Sequence, residues 1–164
     1  MDPFVLGFSV FYLIGIVLLW SAVASAREST RAAAWPTTPA TITSLELSEK
    51  SDSDGSAYEV KVRYTYTVHK VTYEGDCLAF GYAGSSGRES HDEIHRRLKE
   101  AKAVAVRYDP ANPSVSCLSF GLHRSILLRL AFAVTWLVFV TGSTVMFRLL
   151  TRGDKVLLDN LSVQ

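Results

Sequence analysis

Residues 58–69 read Tyr-Glu-Val-Lys-Val-Arg-Tyr-Thr-Tyr-Thr-Val-His. Tyr58, Val60, Val62, Tyr64, Tyr66 and Val68 share one parity, while Glu59, Lys61, Arg63, Thr65, Thr67 and His69 share the other. Successive side chains of a strand point to opposite faces of its sheet, so this unbroken alternation predicts a strand buried on one side. The next run, Val71 to Tyr82, is also rich in β-formers, and its apolar phase changes near Gly75-Asp76, which predicts a bulge there. His69-Lys70 falls between the two runs as the turn.

Working outward, further strands are expected at Ala40–Leu47, Ala103–Tyr108 and Ser114–Ser119. Glu49 to Ser56 carries no periodicity and reads as an exposed loop, as does the Gly/Ser-rich stretch from Tyr82 to Arg88. One short helix interrupts the strands. Ser90 with Glu93 fits a capping box, and Ile94, Leu98 and Ala101 form an apolar stripe. The section 27–124 holds 13 Lys+Arg and 13 Asp+Glu, so it is neutral apart from four histidines. That balance excludes a polybasic nucleic-acid or lipid-binding surface.

Two uncharged stretches lie outside this section. Phe4–Ala26 has no charged residue, and Leu130–Phe147 has none either. They account for a 48% hydrophobic content and a mean hydropathy of +0.17 in a chain of 164 residues. At ~1.5 Å per residue, a helix over Phe4–Ala26 is about 34 Å long, enough for a hydrocarbon core of about 30 Å. Ala24-Ser25-Ala26 resembles a signal-peptide cleavage site, but Met1-Asp2-Pro3 brings no basic residue and the apolar run is too long. An uncleaved anchor is therefore expected. The fold class is a membrane protein in which two transmembrane helices, 4–26 and 126–150, flank a mainly-β domain at 35–121, with a polar tail at 151–164. Arg129 and Arg148 near the ends of the second helix can snorkel to headgroups, and Trp20 and Trp35 suit an interface. Arg148, Arg152 and Lys155 favour cytoplasmic termini in the plasma (inner) membrane, with the central domain outside. Arg27, Arg31, Arg124 and Arg129 weigh the other way.

Three segments together resemble the domain-of-unknown-function 3592 family. Trp35-Pro36 with Ala40-Thr41-Ile42 is the first. The Tyr58–Val68 alternation, continued by Tyr73 and Gly75-Asp76, is the second. The third is Val104-x-Val106-x-Tyr108-Asp109-Pro110 with Asn112-Pro113 and Leu118, a strand that ends in specific turn punctuation. The resemblance implies a β-domain held beside a membrane by two helices, with no common activity and no catalytic residues to carry over. Lys70 departs from the pattern, since that hairpin position more often holds Gly.

Candidate chemistry is sparse. His91 and His95 are one helical turn apart and could share a metal; otherwise they are exposed residues on a solvated face. Asp92, not Glu, follows His91, so the zinc-protease pattern is not met. Cys77 and Cys117 fall on expected strands and read as a disulfide, as packed free thiols, or as a nucleophile lacking an obvious base. Asp109 before Pro110 suits a turn acceptor better than a catalytic acid. Tyr64, Tyr66, Tyr73 and Tyr108 read as core or sheet-face residues. The pairs Ser21/Ser25 and Ala22/Ala26 could let helices approach closely. Asn160-Leu161-Ser162 matches a glycosylation sequon that a cytoplasmic tail would not use.

No cofactor, metal site or catalytic residue is therefore expected. The expected role is non-enzymatic protein binding or scaffolding through strand edges and the two polar loops. The expected partners are the lipid bilayer and a protein, a second copy of the chain included, but not nucleic acid. Two alternatives are an immunity or accessory protein against a membrane-acting toxin, and a metal-dependent module built on His91 and His95.

Overall fold

The computed structural model describes residues 3–53, 55–151 and 160. The long helices are α1 (Pro3–Arg31) and α3 (Arg124–Thr151), and α2 (Arg88–Glu100) lies between them in sequence. The strands are β1 (Thr37–Asp52), β2 (Gly55–Val68), β3 (Val71–Gly75), β4 (Val104–Tyr108) and β5 (Ser116–Cys117). They form one antiparallel sheet in the order β3-β2-β1-β4-β5. The chain is thus a five-stranded antiparallel sheet flanked by two long apolar helices. Its residues divide into two units, 21–128 and the described parts of 1–20 with 129–164.

Alternation in β2 becomes burial. Val60, Val62, Tyr64, Tyr66 and Val68 are buried, while Lys61, Arg63 and Thr67 are exposed. With Ala40, Leu78 and Val106 these residues form the core, against which Ile94 and Leu98 of α2 pack. His69 and Lys70 both adopt positive φ (50° and 67°), the backbone that a two-residue type I′ hairpin demands even without glycine.

Four local expectations change. Glu49–Ser56 is not a loop: β1 and β2 stay paired to Asp52↔Gly55. Glu49, Lys50, Ser51, Ser53 and Gly55 are exposed, so backbone pairing continues where no hydrophobic pattern announces it. The run Val71–Tyr82 is strand only to Gly75, and the phase change marks the end of pairing, not a bulge. The irregularity sits in β1 between Ile42 and Ser44, where apolar parity switches from Ala40/Ile42 to Leu45/Leu47. The strand expected at Ser114–Ser119 shrinks to Ser116–Cys117, with a bridge between Ala79 and Ser119 beside it.

Tyr64 is fully buried, and its ring occupies the space over Gly75. A Cβ at position 75 would lie 2.5 Å from Tyr64 Cε2 and 2.8 Å from Ser116 Oγ. The Tyr64 hydroxyl sits 3.1 Å from both the Cys77 carbonyl oxygen and Ser116 Oγ, so the buried phenol is satisfied.

In the unit containing most of both long helices, the contact is close at Gly15, where a Cβ would meet Leu137 Cδ2 at 2.5 Å. Trp136 Nε1 donates to the Phe11 carbonyl (3.0 Å), and the Tyr12 hydroxyl donates to Thr141 Oγ1 (3.2 Å). Of the small residues singled out, Ala22 is fully buried, within the other unit. The sequon at 160–162 and the tail beyond Thr151 lie outside the described residues, apart from Asn160.

Gly75→Ala should destabilise the sheet by about 1–3 kcal/mol through overpacking against the Tyr64 ring. Thermal melts of the full chain in nanodiscs measure it, and an unchanged midpoint contradicts the close approach.

Candidate functional site

The helix α2 begins at Arg88, with Gly87 as N-cap and no side-chain cap. Ser90 lies inside the first turn, so the expected capping box does not form. Glu93 is instead gripped by Arg96 (2.6 Å) and Arg97 (2.6 Å). Ala101 is the C-cap, not part of the apolar stripe. His91, Ile94 and Leu98 make that stripe, and His91 is buried rather than solvated.

Both ring nitrogens of His91 are engaged. Nδ1 lies 2.7 Å from the Tyr82 hydroxyl and Nε2 lies 2.8 Å from Ser85 Oγ. The Val60 N–H donates to the same Tyr82 oxygen (3.0 Å). The contacts admit either tautomer: Tyr82 donates to Nδ1 and the protonated Nε2 donates to Ser85, or the protonated Nδ1 donates to Tyr82 and Ser85 donates to Nε2. Burial pushes the His91 pKa below its ordinary value, against the opposing pull of the Glu59 and Asp92 carboxylates. His95 is only half-buried. Among the described residues, no group of three or more His, Cys, Asp or Glu is placed to hold a metal.

Beside this network a cavity of about 400 Å³ opens between α2 and the segment 118–125. Leu78, Ala79, Ile94, Leu98 and Leu118 supply apolar walls. Arg97 and Arg124 supply the only formal charges among the lining residues. The sequence reading missed this site. Its readable signal was the spacing of His91, Ile94 and Leu98, which places the histidine on the buried face.

Cys77 and Cys117 are free thiols. Burial raises the Cys77 thiol to about 12 and the Cys117 thiol to about 11. Neither is a thiolate near neutral pH, and the bridge weighed from sequence is not formed.

The motif residues lock the domain's entry and exit. Trp35 is buried, its ring edge-on to Phe80 at 5.7 Å. Arg107 donates to the carbonyls of Ala33 (2.9 Å) and Trp35 (2.8 Å), and its guanidinium stacks 4.3 Å over Phe120. The Tyr108 N–H donates to the Pro36 carbonyl (3.2 Å). Asp109 Oδ1 accepts the Ala111 N–H at 2.9 Å, and the Asp109 N–H reaches the Val115 carbonyl. Tyr66 stacks on Tyr73, and its hydroxyl donates to the Pro113 carbonyl, tying β2 to this turn. Tyr58 exchanges backbone hydrogen bonds with Ser85 and lies under the Arg88 guanidinium.

The family described as a domain of unknown function (DUF3592) matches residues 38–123, more than half of the chain. The chain belongs to this family. No curated protein and no solved structure matches it. In this DUF3592 protein the matched span starts within β1 and ends immediately before α3, so it covers the sheet, α2 and the cavity walls up to His123.

Two outcomes follow for this DUF3592 domain. Between its lowered folded pKa and the unfolded value near 6.5, His91 binds fewer protons folded than unfolded. Stability should therefore fall as pH drops below about 6.5. His91→Gln should remove that slope at a baseline loss of about 1–3 kcal/mol, read from melts across this pH range. Iodoacetamide at neutral pH should leave Cys77 and Cys117 largely unmodified in the folded protein and alkylate both in denaturant, as counted by intact mass.

Proposed function

We propose that this DUF3592 protein is a two-span membrane protein whose β-domain stands outside the cytoplasm and binds an extended protein segment along the open edge of β1. The reading is non-catalytic.

The observation that carries it is the shape of the sheet. β4 covers β1 only from Thr37 to Ala40, whereas β2 accompanies β1 to Asp52. Beyond Ala40, no described strand pairs with the second side of β1. An edge of this kind offers a row of backbone donors and acceptors to an added strand. Glu46, Glu49 and Lys50 along it oppose indiscriminate pairing and favour a partner of matching charge.

Exposure supports the spans. Only 11% of the most apolar window of each long helix is buried, and Leu13, Val17, Trp20, Val138, Phe139 and Leu150 are among the large apolar residues facing outward. In water such surface would be costly, whereas in lipid it is the natural exterior. Arg148 in the last turn of α3, with Arg152 and Lys155 following in sequence, supports cytoplasmic termini.

Two measurements in intact cells test the reading. Ser53→Cys in a chain lacking Cys77 and Cys117 should be labelled by a membrane-impermeant maleimide; protection until lysis reverses the orientation. A photoreactive amino acid replacing Ser48 should give a discrete protein adduct, and one of twice the chain's mass would identify a second copy as partner. Absence of any protein adduct overturns edge binding.

A further inference from the structure

We infer that the cavity between α2 and the segment 118–125 is a binding site for an anionic amphiphile, an acyl chain ending in a carboxylate or phosphate. This rests on the membrane-span part of the proposal above, because bilayer lipid is the reservoir of such molecules, but not on edge binding.

Size and chemistry both fit. At about 400 Å³ the cavity falls within the range of about 300–1,000 Å³ typical of small-molecule sites. Its apolar walls come from two directions, Ile94 and Leu98 on α2 facing Leu78, Ala79 and Leu118. Two cations line the site and no Asp or Glu does. That arrangement favours an anionic head and would repel a cationic one. The Arg97 Nε is shared with Glu93 at 2.6 Å, which aims the guanidinium while leaving its terminal nitrogens uncommitted in that contact. Arg124 is exposed, and its side chain has no hydrogen bond or ion pair among the described residues. Carboxylates and phosphates are the usual bidentate partners of such a fork.

Position provides a route in. Arg124 and Ser125 in the cavity wall are the first residues of α3, the second apolar helix. Immediately before them in sequence, Phe120 and Leu122 are exposed at 44% and 53%. If α3 spans the bilayer, this wall stands where the helix leaves the hydrocarbon for the headgroups. There an acyl chain can slide toward the cavity while its head stays near the arginines. His123 also lines the cavity, and its Nε2 is committed to the Phe80 carbonyl at 2.9 Å. Ser90 at the mouth is exposed and free of buried packing, so it can be enlarged without disturbing the core.

The full chain in phosphatidylcholine nanodiscs, irradiated with a diazirine-bearing palmitate, tests the site. Adducts mapped by mass spectrometry should fall on the α2 peptide carrying Ile94 and Leu98 or on the Leu118 peptide. Ser90→Trp should abolish them. Arg97→Gln with Arg124→Gln should reduce palmitate labelling about tenfold. A neutral hexadecanol analogue should label the pocket weakly and equally in both proteins, which also shows that the cavity survives the substitutions. A parallel arm with diazirine-bearing phosphatidylglycerol distinguishes a bilayer phospholipid from a free fatty acid, and cavity adducts from either probe sustain the inference. Adducts confined to α1 and α3 with both probes overturn it, as does palmitate labelling that ignores the loss of both arginines. If carbonate releases the chain from native membranes, the membrane-span reading fails separately, before any ligand is added.

Discussion

The phenol of Tyr64 is the point on which the sheet turns. Its ring fills the space over Gly75 at the end of β3, and its hydroxyl reaches the Cys77 carbonyl and Ser116 of β5. One side chain on the second strand thereby fixes the third strand, the segment that leaves it and the far edge of the sheet. A buried hydroxyl without partners costs roughly 1–3 kcal/mol, so these contacts specify position as much as they stabilise. Tyr66 repeats the device one pleat further on, with Tyr73 stacked on its ring and the Pro113 carbonyl at its tip. The same phenols that make β2 hydrophobic also carry its connections to the turns. Among the described residues no buried side-chain polar atom lacks a partner.

Around that centre β1 has an enclosed part and an open one. The proximal half of β1 is enclosed between β2 and β4, while the distal half has β2 on one side alone. α2 closes the core through Ile94 and Leu98, and the Tyr82–His91–Ser85 chain of hydrogen bonds pins its first turns. The cavity beside that network lies between α2 and the segment 118–125, with Arg97 among its lining residues.

The buried middle of the fold was legible in the sequence, and its solvated parts were not. Residues 58–68 announce β2 because one face is buried and the other is wet. In the hairpin's far end Glu49, Lys50, Ser51, Ser53 and Gly55 are exposed, the sequence there carries no apolar period, and only the backbone ladder reveals the pairing. The β1 irregularity was written in the parity switch from Ile42 to Leu45, yet a similar switch at Gly75 drew the bulge to the wrong place. There glycine marks room for a ring. His91 was misread as a solvated partner of His95, whereas its spacing of three to Ile94 and seven to Leu98 already put it on the buried face. Gly15 was overlooked among larger sets of Ala and Ser, although absence of a side chain is what lets Leu137 approach.

Ser29 and Gly121, 92 positions apart, hold each other through two hydrogen bonds. Ser29 Oγ donates to the Gly121 carbonyl at 2.8 Å, and the Gly121 N–H returns to the Ser29 carbonyl at 3.0 Å. Gly121 sits at φ +97°, which a side chain would strain. The knot joins the last turns of α1 to the residues just ahead of α3, so it forms only after nearly all of the domain has been synthesised. β4 and β5 likewise come from residues beyond 103, and β4 joins β1 across more than sixty intervening positions. Such late, distant pairing delays completion of the sheet during biosynthesis. Until residues 104–108 emerge, β3 can already cover β2 while the outer edge of β1 stays bare, and the growing chain depends on prompt arrival of its own C-terminal strands.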